Sequence, residues 1–152
     1  MRLTLALTLA LAGPALASED IADQYPQSPL YSKPVEVIPN VWSAIGATAP
    51  PTYENTGHNN NLSFIVTGDG VVVVNGGAAY VLAEALHQEI KAVTDQPVKL
   101  VINENGQGHA MLGNNYWAEQ DVPILAHVDA AHEFEENAFQ ILEGMKRYNR
   151  DK

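Results

Sequence analysis

The sequence predicts an α/β protein, a mixed sheet with flanking helices. Two observations carry that class. The run "NLSFIVTGDGVVVVNGG", Asn61 to Gly77, sets two β-rich segments around Gly68-Asp69-Gly70, the pattern of a tight hairpin. Beyond it, segments of helical and strand character alternate to the end of the chain, as in sheets whose later strands are joined by helices.

Each element has its own signal. "VEVIPNVWSAIGA", Val35 to Ala47, alternates apolar residues around Pro39-Asn40 and predicts two short edge strands about a turn. Thr48 to Asn61 is a loop by composition. In the hairpin, Val71 to Val74 is apolar at every position, so an interior strand covered on both faces is expected. Asn75-Gly76-Gly77 then turns into a helix from about Ala78 to Val93, with Leu82, Leu86, Ile90 and Val93 as its apolar stripe. "PVKLVINEN" returns as a strand, a short helix comes next near Met111 to Glu119, and "VPILAH" is a further strand. Val128 to Arg150 is a long helix with Phe134, Ala138, Ile141, Met145 and Tyr148 on one stripe.

Residues 1–17 read as a secretory signal peptide. One arginine precedes the apolar run Leu3 to Leu11, Gly13-Pro14 breaks it, and Ala15-Leu16-Ala17 supplies a cleavage site. The alternative, an uncleaved anchor, requires a longer apolar run. Residues 18–34 form an irregular, proline-containing arm, and residues 35–152 the domain. A periplasmic or secreted protein is expected, with no membrane contact after cleavage. Cysteine is absent, so any metal site must use His, Asp or Glu. A formal charge of −10 repels phosphate backbones and argues against nucleic acid as a partner.

The stretch "VINENGQGHAMLGNNYW", Val101 to Trp117, is the candidate site: a strand end, two glycines around Gln107, then His109 before a helix. Its glycines do not have the G-x-G-x-x-G spacing of a dinucleotide loop, and no G-K-[ST] occurs. If the strand continued, Asn105 and Gln107 would share a face. Carboxamides are poor zinc ligands, so one histidine with two amides does not make a zinc site. His58 and His132 are expected to be exposed, His87 to lie on a polar helix face, and His127 to cap the last helix or hydrogen-bond a neighbour. A relocated metal set of His58, His109 and Glu104 is a weak candidate, and Glu104 with His109 a weak acid–base pair.

From Asn60 to His127 the chain resembles the first half of the metallo-β-lactamase superfamily. The hairpin resembles that family's opening hairpin, and "VTDQPVKLVIN" its passage into the metal motif. "LGNNYW" and "VPILAH" resemble the helix and strand on the far side of that motif. The resemblance implies a zinc-dependent hydrolase fold with the motif His-x-His-x-Asp-His. Aligned on "LGN", Asn105 and Gln107 fall on the first two histidines, His109 on the aspartate and Ala110 on the last histidine, while Asn75 stands where the hairpin usually has aspartate. The resemblance therefore implies a degenerate zinc site and a non-catalytic or binding role, with Asn105, Gln107 and His109 as binding positions and no cofactor for this chain. Two alternatives stay open: a hydrolase with an altered metal set completed by a missing second half or a partner chain, and a truncated remnant. Crossovers running one way along the sheet put their helices mostly on one face. The other face is then expected to expose apolar residues of Val71–Val74 and Val98–Ile102 and to take a second half-domain or a second copy.

Overall fold

The computed structural model describes residues 24–150. The expected signal peptide and the start of the arm lie outside the described residues. Six strands form one sheet in the order β1(Val35–Ile38), β2(Val41–Ala44), β3(Leu62–Val66), β4(Val71–Val74), β5(Val98–Asn103), β6(Ile124–Ala126). The first three pairings are antiparallel and the last two parallel, so the sheet is mixed, as expected. Thr67 closes the hairpin: its hydroxyl donates to the Gly70 carbonyl at 2.7 Å.

Between β4 and β5 runs α1(Tyr80–Val93), and between β5 and β6 run α2(Gly108–Met111) and α3(Asn114–Glu119). Both crossovers progress in the same direction along the sheet, so their helices share a face. Leu82, Leu86 and Ile90 of α1 and Trp117 of α3 pack with Leu62, Phe64, Val71, Val73 and Val101 in one buried cluster. Among the described residues, no helix is long and apolar enough to cross a membrane.

The opposite face differs from the expectation for β4. Only Val71 and Val73 are sealed, whereas Val72 and Val74 are partly exposed. Register places Val72 beside Ile65 and Leu100, and Val74 beside Ser63 and Ile102. Ile65, Leu100 and Ile102 are also only partly buried. Neighbouring side chains shield one another there, but the row is not sealed as the helix-covered face is.

The single helix expected near Met111 to Glu119 is two. Gly113 lies so close to the Gly76 carbonyl that a Cβ there would overlap its oxygen, and the chain kinks to keep that approach. α4(Val128–Asn149) is a continuous 22-residue helix. His127 Nδ1 accepts from the Asp129 N–H at 3.2 Å and caps it, as the sequence suggests. Its stripe is thinner than expected: Met145 is buried, Phe134, Ala138 and Ile141 are partly exposed, and Tyr148 is exposed.

Candidate functional site

β5 ends at Asn103, so Asn105 and Gln107 do not share a strand face. They lie in a turn that Asn105 itself organises. Its Oδ1 accepts from the Gln107 N–H at 2.8 Å, a side chain closing a turn on the backbone two residues ahead. Its amide nitrogen stands 3.2 Å from His109 Nε2. An amide N–H can only donate, which makes Nε2 the acceptor and leaves the imidazole proton on Nδ1. Burial lowers the His109 pKa, with the Glu104 carboxylate pulling the other way, so the ring is neutral at pH 7.

Beneath this turn lies a polar clasp that sequence reasoning missed. Asn103 is buried and its Oδ1 accepts from the Gly76 N–H at 2.9 Å, while its amide donates to Asn114 Oδ1 at 3.0 Å. Trp117 Nε1 donates to the Gly76 carbonyl at 3.0 Å. The Gly77 carbonyl takes the Gly113 N–H at 2.8 Å. Asn75, at φ +70, donates to Glu104 Oε1 at 3.1 Å and accepts from the Glu104 N–H at 3.2 Å. The turn after β4 and the loop after β5 are thus fastened by carboxamides. One signal was available: Asn103 stands two residues after Val101 on the buried side of the strand.

Two histidine expectations are corrected. His58 is fully buried, and its Nδ1 accepts from the Tyr31 N–H at 2.9 Å, which anchors the arm to the loop. Burial pushes its pKa down to about 4, against the carbonyls of Ala44 and Asn60, which favour the charged form. His87 is half-buried rather than on the surface, with Nδ1 2.8 Å from the Tyr116 hydroxyl and its ring tilted over Trp117. His132 is exposed.

The structure does not gather His58, His109 and Glu104. His58 is committed to the arm and Glu104 to Asn75. Among the described residues, no three His, Asp or Glu side chains stand where they could share a metal ion. The donors at the motif positions do not fit zinc. Asn105 and Gln107 are neutral amides, Ala110 has no donor, and the one imidazole already receives Asn105 at Nε2.

α4 lies across this loop. A Cβ on Gly106 would come within 2.5 Å of the Ala130 carbonyl oxygen, and one on Gly108 within 2.5 Å of Ile141 Cγ2. The two glycines flanking Gln107 thus let the helix approach, with Ala110, Met111 and Ala130 as a small buried cluster beneath it.

No family model matches the chain, and no curated protein matches it. Solved structures do. A metallo-β-lactamase from Erythrobacter litoralis superposes with TM-score 0.58 at 16% identity, over 69% of this chain and 45% of its own. One from Pseudomonas aeruginosa, in a mono-zinc form, gives 0.57 at 13% identity, over 69% and 46%. One from Pontibacter korlensis gives 0.58 at 24% identity, over 69% and 47%. The described residues therefore adopt the metallo-β-lactamase fold, and the sheet with its helices is the N-terminal part of it. The chain spans about half the length of the structures it matches.

Proposed function

We propose that this chain is an exported metallo-β-lactamase-like protein whose zinc site has been replaced, and that it binds a ligand instead of hydrolysing one. The observation that carries this reading is the Asn105–His109 contact, at positions that align with a histidine and the aspartate of the family motif. A metal-activated water needs a cation held by charged or imidazole donors, with one coordination position left open. Here the loop offers amides, a single neutral ring and the Glu104 carboxylate, which is tied to Asn75, while Asn103 is spent on fastening Gly76. The arrangement suits recognition by hydrogen bonding, and its donors do not form a set that would hold a Lewis-acid metal.

The test is elemental analysis of the mature chain, recovered from the exported fraction with Ser18 at its N-terminus, after dialysis against trace zinc. Only background zinc is expected. Asn105→His, Gln107→His, His109→Asp and Ala110→His together should restore measurable affinity, because they return three imidazoles and a carboxylate to one turn. About one zinc per unaltered chain, lost in His109→Ala, would instead establish the hydrolase with an altered metal set.

A further inference from the structure

Two clefts flank the contact between the Gln107–Gly108 turn and α4, one of about 370 Å³ and one of about 220 Å³. Both are lined by Gln107, Gly108, Gln140 and Ile141, so they form one trough pinched at that contact. The smaller side adds Asn59, His109 and Tyr148, with Pro51 and Met145 as apolar wall; the larger adds Asn137 and Glu133.

The chemistry of the lining narrows the ligand. Among the described residues, no lysine or arginine lines the trough, and Glu133 at one end is the one charged side chain that does. A phosphate or carboxylate would find no cation there, and the chain as a whole carries −10. A purely apolar ligand would bury polar groups without partners. Asn59 Oδ1 is already buried with no hydrogen bond. Leaving such an atom dry costs about 1–3 kcal/mol. The side-chain amides of Gln107 and Gln140 make no bond to the described residues, and His109 Nδ1–H is free to donate once Nε2 is taken by Asn105. Each carboxamide offers a donor and an acceptor side by side, and each hydroxyl of a vicinal diol does the same. Ile141, Pro51, Met145 and the ring of Tyr148 suit the C–H faces of a pyranose, in a site whose walls are apolar and whose few polar groups set orientation.

Building on the reading that this loop holds no zinc, we infer that the trough binds a neutral saccharide. The carboxamides of Gln107 and Gln140 grip its hydroxyls from either side of the pinch, His109 Nδ1–H donates to it, and Tyr148 packs against a ring.

The experiment is calorimetric titration of the mature chain with glucose, galactose, mannose, N-acetylglucosamine and their common disaccharides, with glucuronate as the charged control. At least one neutral sugar should bind saturably with a Kd near or below about 1 mM. Gln107→Ala and Gln140→Ala should each weaken it about threefold to tenfold, the range that the loss of one neutral hydrogen bond spans. Both residues are exposed, so an unchanged melting temperature verifies that the fold survives. Gln120→Ala, on a different cleft, should leave binding as it was. Absence of binding by every neutral sugar at about 50 mM, binding indifferent to both substitutions, or tighter binding of glucuronate overturns the proposal. Zinc measured on the same sample separates the two readings. No sugar and no zinc overturns the ligand class alone, whereas stoichiometric zinc overturns the non-metal site beneath it.

Discussion

α1 and α4 are both amphipathic, yet they belong to the molecule in different ways. The shorter helix, 14 residues, buries Leu82, Ala83, Ala85, Leu86 and Ile90 against the sheet. The longer one, 22 residues, buries only Ala130, Met145 and Asn149. Phe139 on α4 is 76% exposed and Leu142 42%. α1 is held by a continuous apolar stripe, and α4 by a few contacts, two of which depend on glycines in the site loop. Helix length therefore says little about anchorage. What counts is how many turns find a buried partner.

That contrast can be broken at several points. The largest effect is expected at Leu86→Ala, which empties a fully buried position of α1 and should cost about 2–5 kcal/mol in chemical denaturation. Ile141→Ala on α4 should cost clearly less, since that side chain is only partly buried. Equal losses at the two positions would show that α4 is as much a part of the core as α1.

Next in size is the acid response of His58. Its pKa falls from 6.5 to about 4 in the folded chain, a difference worth about 3 kcal/mol. Between those values the unfolded chain takes up a proton that the folded chain refuses. Stability is thus full above about pH 6.5, declines as the pH falls toward 4, and loses no more to this group below that. His58→Gln keeps an acceptor for the Tyr31 N–H but cannot titrate, so its stability should be flatter across the window. A variant as acid-sensitive as the parent would place the titrating group elsewhere.

The smaller effects belong to α4. Gly108→Val drives a side chain toward Ile141, and the helix can answer by shifting, so a loss near 1 kcal/mol is expected, together with faster amide exchange along α4 but not α1. Phe139→Ser should change stability by no more than about 0.5 kcal/mol. Exchange that rises equally in both helices would mean that they open as one unit.

Much of the sheet was legible because its signals are local. Gly68-Asp69-Gly70 marks the hairpin, Val71–Val74 marks one strand by an unbroken apolar run, and Val98–Ile102 marks the next by apolar residues interrupted only at Lys99. What could not be read depends on residues far apart in the chain. His58 lies in an Asn-rich loop that looks solvated, and only the returning arm with Tyr31 buries it. Nothing near Gly113 announces a kink, because its cause is the Gly76 carbonyl. The loop from Asn105 to Ala110 could be matched to a metal motif residue by residue. That Asn105 ties itself to Gln107 and His109 required the strand to stop at Asn103, two residues before the point at which a shared face would have formed.

The sheet's margins have a consequence of their own. β1 is solvent-exposed along its whole length, with Val35, Val37 and Ile38 all more than half exposed, the kind of rim that invites an added strand from a neighbouring molecule. Pro34 and Pro39 bracket it, and the pairing slips between Glu36 and Ile38. A proline lacks the N–H that a ladder needs, and an irregular register presents donors and acceptors at the wrong spacing. The far rim, β6, is three residues long and comes directly after Pro123. Among the described residues, neither margin offers a foreign strand more than about four residues to zip onto. The exposed valines and leucines of these described rims therefore sit on strands too short and irregular to make a long template for fibril growth.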